Sequence, residues 1–285
     1  MDARDSATDI CTGALDNKDA GILRLTDQIF LSSCPNGGMG PWLPTVSAWS
    51  AFRKVSEKID CHSYTPLPPS EINTTAKMLS CHCECRSVAF NISRPSKVSR
   101  DSATGPYPDL LKPYTHDPAS FPENTRDDKW WLRENDTRFL AGTCACESCR
   151  KNAGFDIQCW AFVPKVNILT SSSSFGEGEA KQFFDAKPEM LKCYRSSKGT
   201  YREFCAKCGA TVFWHCDRRS NLIDVSVGVM DAKEGPRAEG WLEWWTERVS
   251  FEEDARDKEL VSMLKAGLGR WGKMKAEVEG GSERE

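Results

Sequence analysis

The sequence predicts a mainly β fold that ends in an amphipathic helix. Three observations carry this reading. Apolar residues alternate with polar ones in several short runs, turn-forming stretches separate those runs, and seven cysteines gather in three clusters. The alternation has the two-residue period of a half-buried strand.

Taken in order, residues 1–65 form an N-terminal extension and 66–78 a linker. Gly/Pro-rich stretches at 35–44 and 66–69 break any long regular element there. From Leu79 the chain turns β-like, with Val88, Phe90 and Ile92 alternating with polar or small residues. Residues 93–140 lose periodicity and are rich in Pro, Asp and Ser, which marks an insertion. A structureless segment of that length is uncommon in a compact domain and is often functional. Ile157, Cys159, Ala161 and Val163 alternate with Gln158, Trp160 and Phe162, so both faces of that strand are partly apolar. Ser171–Ser174 with Gly176 and Gly178 reads as a turn. Lys181–Asp185 and Leu191–Ser196 read as short strands of a hairpin. Thr211–Cys216 is a further strand, and Ile223, Val225, Val227 and Val229 give the clearest alternation. Leu260, Met263, Leu264, Leu268 and Trp271 recur at helical spacing, which predicts a helix over 255–272 and a frayed tail over 277–285. The main domain then spans 79–250, and 251–285 forms the helix and tail.

Thr12-Gly-Ala-Leu-Asp16 echoes Val227-Gly-Val-Met-Asp231, and each precedes a Trp-Leu pair. Residues 1–65 are then either the remnant of a preceding copy of the same domain or a chance match in a short window.

The composition excludes several classes. Hydrophobic content of 39% and aromatic content of 10% describe a globular chain. A net charge of −3 gives no bulk footprint for nucleic acid or an anionic membrane. No apolar run approaches the roughly 20 residues of a membrane span. Met1-Asp-Ala-Arg-Asp-Ser contains no apolar core, so no secretory signal is expected. Fourteen cysteines in such a chain favour metal binding over disulfides and place the protein in the cytoplasm, with the nucleus as a second location.

The clusters are Cys83-Glu-Cys85, Cys144-Ala-Cys146-Glu-Ser-Cys149 and Cys205-Ala-Lys-Cys208. Zinc takes four thiolates in a closed structural site, or three plus an open position in a catalytic one. Seven ligands suggest one of each, two zinc ions per chain. Cys83 and Cys85 pair with Cys205 and Cys208 to staple distant segments. Cys144, Cys146 and Cys149 come from six consecutive residues and leave the fourth position open. One structural zinc plus reactive thiols is the other reading.

These residues carry a resemblance. The order C-x-C, C-x-C-x-x-C, C-x-x-C is similar to that of the glutathione-dependent formaldehyde-activating enzyme family, which includes centromere protein V. Cys83-Glu-Cys85-Arg-Ser-Val88-Ala-Phe90 resembles the family's first strand. Cys146-Glu-Ser-Cys149-Arg-Lys, Gly154 and Trp160-Ala-Phe-Val-Pro164 resemble its central motif. Tyr194-Arg-Ser-Ser, Phe204-Cys-Ala-Lys-Cys208-Gly and Phe213-Trp214 resemble its closing segment. The resemblance covers about 79–250 and is that of a fungal-type member. It implies twisted antiparallel sheets organised around two zinc sites, the outer four cysteines structural and the central three engaging the thiol of glutathione. The long segment between the first two clusters, the N-terminal extension and Cys81, which offers an alternative C-x-C register, depart from the family pattern.

The implied activity is that of a carbon–sulfur lyase, making or breaking an adduct between a thiol such as glutathione, as co-substrate, and a small carbonyl electrophile. Cys144, Cys146 and Cys149 carry the chemistry, and Arg150 and Lys151 hold a carboxylate, a contact to which Arg's planar fork is suited. For Arg150 and Lys151 the bland alternative is a solvated basic pair. Asp156 and His215 are candidate acid and base, although a His beside Trp214 in an apolar strand is more often a packed core residue. The tryptophans at 130–131, 241 and 244–245 are either pocket walls or core anchors. Cys159, Cys193 and Cys216 read as small core residues, and Cys11, Cys34, Cys61 and Cys81 complete no further site. The competing function is a non-catalytic zinc-binding module for protein–protein interaction.

Overall fold

The computed structural model describes residues 25, 27–28, 34–50, 57–72, 74–101, 107–114, 128–170 and 181–282, with side chains as far as 278. The echo at 12–16, Cys11 and the Ser/Gly turn at 171–178 lie outside the described residues. Among the described residues no helix is long and apolar enough to cross a membrane.

Strands β1 (Asp27–Gln28), β2 (Ser47–Trp49) and β3 (Lys58–Ile59) make a small N-terminal sheet with β2 in the middle. Strands β4 (Met78–His82) and β5 (Ala89–Ser93) form an antiparallel hairpin. The expected alternation appears there, with Leu79 and Cys81 on β4 and Phe90 and Ile92 on β5 facing the core. Strand β6 (Leu132–Arg133) pairs with β7 (Arg138–Cys144), which leads into helix α1 (Glu147–Ala153) and strand β8 (Gln158–Pro164). Strand β9 (Ile168–Thr170) returns to pair with β5 and completes a three-stranded sheet.

The remaining strands are β10 (Leu191–Ser197), β11 (Thr200–Cys205), β12 (Thr211–Cys216), β13 (Leu222–Ser226) and β14 (Leu242–Trp244). They build the main sheet in the order β10-β11-β12-β13-β8-β7-β14, with β6 attached to β7. Neighbours run antiparallel except β14, which lies parallel to β7. Every residue of β7 and β13 is buried, as suits central strands covered on both faces. Edge strand β10 is mostly exposed and carries Lys192 and Arg195, charges that discourage further strand pairing. Phe90, Phe183 and Phe213 pack with ring centroids 4.9–5.7 Å apart and join the three-stranded sheet to the main one.

Helix α2 (Lys258–Ser282) buries Leu260, Leu264, Leu268 and Trp271 along one face. Residues 34–46 dock on this face. Trp42 is fully buried and meets Trp244 edge-on at 4.7 Å. Arg237 donates to the carbonyls of Asn36 and Gly38 and lies 4.4 Å over the Trp271 ring. Gly267 is required there, because a Cβ would fall 1.8 Å from the Trp42 carbonyl oxygen.

Several expectations shift. The alternating run from Ile223 ends as a strand at Ser226, and Val227–Val229 forms a 3-10 turn. Residues 181–185 contribute one bridge, Gln182 to Leu169, and a 3-10 turn at Phe183–Asp185, so the hairpin partner of β10 is β11. The helix runs from Lys258 to Ser282, ten residues past the expected end, and takes in part of the segment expected to fray. Cys193 is exposed because it sits on the edge strand.

Candidate metal and substrate site

Cys83 and Cys85 lie in the β4–β5 turn, Cys205 ends β11, and Cys208 lies in the turn to β12. Both turns double back through a left-handed residue, Arg86 (φ 56°) in one and Gly209 (φ 74°) in the other. Amides of Arg86 and Gly209 donate to the carbonyls of Cys83 and Cys205 at 2.8 Å, and the Val88 amide donates to Cys83 Sγ at 3.3 Å. The four sulfurs all lie within 4.8 Å of one another, with Cys83–Cys85 at 3.5 Å and Cys85–Cys205 at 3.6 Å. Metal–thiolate bonds of about 2.3 Å in a tetrahedron place sulfurs about 3.8 Å apart, so the donor set fits such an ion. Hydrogen bonds from Ser87 lower the Cys85 thiol to about 6, whereas burial pushes Cys83 up to about 12. Cys81, the alternative register, is buried on β4 with its thiol on the Leu79 carbonyl, outside the cluster.

Cys144 ends β7, Cys146 caps α1, and Cys149 lies in the first turn of that helix. The Cys146 sulfur accepts the Cys149 amide at 3.3 Å. These three sulfurs also lie within 4.8 Å of one another and can hold an ion with a position left for another ligand. Arg202 of β11, only 4% exposed, reaches them from the side. Its Nη1 and Nη2 stand 3.8 and 3.7 Å from Cys149 Sγ, and Nη2 donates to Ser148 Oγ at 2.9 Å. Hydrogen bonds from Cys144 and Cys146, helped by the Arg202 charge and the Trp160 ring, outweigh burial and hold the Cys149 thiol well below its ordinary value.

A cavity of about 420 Å³ opens over this cluster. It is lined by the charged residues Arg202, Arg218, Arg219 and Asp224 together with the aromatic residues Trp160, Phe162, Trp214 and Phe251. Pro108, Asp109, Leu110 and Tyr114, from within the 93–140 insertion, close one side. Asp224 accepts from Arg219 Nη2 at 2.8 Å. Burial pushes its carboxyl up to about 6, only partly offset by that arginine. The Arg219 guanidinium in turn lies 4.8 Å over the Trp214 ring.

Residues 133–248 match the family model for the glutathione-dependent formaldehyde-activating enzyme. The formaldehyde-activating match takes in Cys144, Cys146, Cys149, Cys205 and Cys208, and Cys83 and Cys85 precede it. No curated protein matches the chain. A crystal structure of a Rhodobacter sphaeroides protein aligns at 13% identity over 58% of this chain and 98% of its own, with a TM-score of 0.30.

The other expected residues fall elsewhere. Arg150 is fully buried on α1 and does not line the cavity. Lys151 pairs with Glu147 one turn away and lines a shallower neighbouring cleft that shares Ser148, Ser196 and Arg202 with the cavity. Asp156 is held bidentately by Arg256 at 3.0 and 2.7 Å, and His215 stacks on Tyr201 while facing Glu203 at 3.4 Å. Trp130, Trp131, Trp241 and Trp244 are buried in the core and Trp245 packs against it, so none of these five lines the cavity. The sequence reading missed Arg202, Arg219 and Asp224. The available signal was a charge inside an apolar strand, Asp224 between Ile223 and Val225. Strict alternation assigns such a residue to solvent, but a central strand buries both faces.

Proposed function

We propose that this protein is a zinc-dependent carbon–sulfur lyase-type enzyme that makes or breaks the adduct between a thiol such as glutathione and a small carbonyl compound. The observation that carries this reading is the three-cysteine cluster lining a cavity that Arg202, Arg218 and Arg219 also line. Zinc, when bound by Cys144, Cys146 and Cys149, supplies Lewis acidity and stabilises a thiolate. In the addition, a sulfur lone pair forms the C–S bond. The carbonyl π pair moves to oxygen, and that oxygen takes up the proton the thiol gives up. The reverse step returns both electron pairs, and neither direction needs an oxidant or a reductant.

The chain's own groups divide the remaining work. Arg202 offsets the negative charge of the cluster beside Cys149. Arg218 and Arg219 hold a carboxylate of the thiol compound, and Lys151 extends this cationic path along the neighbouring cleft. Asp224, with its raised carboxyl, carries a proton at the cavity wall within the range where acid–base groups operate. Cys83, Cys85, Cys205 and Cys208 bind a second, structural zinc. We place the enzyme in the cytoplasm.

Native mass spectrometry with and without glutathione tests the assignment. Two zinc ions and one glutathione adduct that is lost in Cys149→Ser support it. One zinc and no adduct would reject the enzyme and leave a structural module that binds a protein partner.

A further inference from the structure

We propose that the cavity takes a carbonyl electrophile bearing a flat apolar substituent, an aryl aldehyde rather than a one-carbon one, and that Leu110 and Tyr114 make this selection. The inference rests on the carbon–sulfur reading above and names its substrate class.

The cluster sulfurs of Cys144 and Cys149 are packed directly against Trp160, with Trp214 and Phe251 beside them. A group attached to a thiol at this position therefore extends along aromatic faces. A one-carbon adduct has no surface to lay against them. Pockets lined mainly by apolar and aromatic side chains with a few placed polar groups bind ligands of matching polarity.

The outer wall is built to hold its shape. Asp109 ties its own segment to the 248–251 segment. It accepts the Phe251 amide at 2.6 Å, Arg248 Nη2 at 3.0 Å, Ser250 Oγ at 3.2 Å and the Tyr114 amide at 3.1 Å. Arg248 Nε also donates to the Asp109 carbonyl at 3.0 Å. Leu110 is wedged so tightly against β7 that a Cβ on Gly142 would stand 2.3 Å from its methyl group. Tyr114 is held edge-on to Phe251 at 5.6 Å and remains 58% exposed at the cavity rim. A large aromatic residue fixed in that position, yet mostly uncovered, supplies a surface for a ligand to cover at little ordering cost.

The size of the effect follows from area. An aryl ring covering roughly 100 Å² at about 25 cal/mol per Å² gains roughly 70-fold in affinity over a methyl-sized group, and roughly tenfold survives incomplete burial.

The test is calorimetric titration of the full-length, zinc-loaded protein with S-benzylglutathione and S-methylglutathione as stable stand-ins for the two adduct sizes. The wild-type protein is expected to bind the benzyl compound about tenfold or more tightly than the methyl one. Leu110→Ala and Tyr114→Ala are expected to bring that ratio below about threefold. Tyr114 is largely exposed, so its variant keeps the test decisive if the Leu110 change disturbs folding. Equal affinities in the wild type would overturn the aryl assignment and leave the thiol reading standing. A benzyl preference that both variants retain would overturn the role of Leu110 and Tyr114. Failure of both compounds to bind while glutathione itself binds in the same assay would overturn this inference alone, and failure of glutathione as well would overturn the thiol reading with it.

Discussion

Cys205→Ser and Cys149→Ser change one sulfur each, yet the structure predicts very different losses of stability. Cys85 and Cys205 are 120 residues apart in sequence and their sulfurs are 3.6 Å apart. A cross-link closing a loop of that length removes close to 5 kcal/mol of chain entropy from the unfolded state, whereas one within the Cys144–Cys149 stretch removes only about 2 kcal/mol. Ion binding adds on the order of 10 kcal/mol at a structural zinc, which is comparable with the whole stability of a domain. The outer cluster also joins the β4–β5–β9 sheet to the main sheet, whereas the inner one joins β7 to the helix that follows it. Cys205→Ser should therefore cost at least about 4 kcal/mol and leave the zinc-loaded protein largely unfolded. Cys149→Ser should cost less than about 2 kcal/mol and remove one ion. Urea unfolding of the zinc-loaded proteins, with metal counted by native mass spectrometry, measures both quantities. Equal destabilisation by the two substitutions would refute the division into a clamp and an open site.

Three further outcomes are expected. Gly267→Ala places a methyl on the Trp42 carbonyl and should undock residues 34–46, costing about 2–4 kcal/mol, the burial of Trp42 and Leu43. An unchanged unfolding midpoint would show that this segment does not bear on stability. Arg202→Met should weaken retention of the inner ion by roughly 10–100-fold against a chelator and leave the outer ion in place, and Arg202→Lys should restore part of that retention. Loss of both ions together would reassign Arg202 to general folding. Asp224 titrates at about 6 in the folded chain against 3.8 ordinarily, so the folded state favours its protonated form. Its contribution is therefore fully present below pH 3.8, is lost as pH rises through 6, and amounts to about 3 kcal/mol. The difference in stability between wild type and Asp224→Asn should shift by that amount across this window, and a flat difference would contradict the raised carboxyl.

Much of this arrangement was legible because its signals are local. Cysteine spacing within six residues, the alternation around Phe90 and the spacing of Leu260, Leu264, Leu268 and Trp271 each follow from a short-range geometric rule. Strand β7 was not anticipated, because Arg138–Cys144 is buried along its whole length and so shows no alternation. The hairpin partner of β10 is not legible in the sequence, since an edge strand and a 3-10 turn share the same mixed composition. The cavity's cations were illegible for a different reason. Arg202 reaches the site from β11 and Arg219 from the 3-10 turn that follows β12, both distant in sequence from the cluster, whereas Arg150 merely stands next to a ligand in sequence. Adjacency along a helix turns a neighbour by about 100°, and that rotation sends Arg150 into the core.

The placement of the outer cysteines also sets an order of events during synthesis. Cys83 and Cys85 leave the ribosome with nothing to close against, and their partners follow 120 residues later. At 5–20 residues per second this wait lasts roughly 6–24 s. The Cys144–Cys149 cluster is complete within a second of its first residue and meets the metal pool before the clamp exists. Where the metal is scarce, the newborn chain therefore offers it the three-cysteine cluster before the four-cysteine clamp is assembled. A shortage then appears first as loss of folded protein, with the three-cysteine cluster still occupied in the molecules that fold.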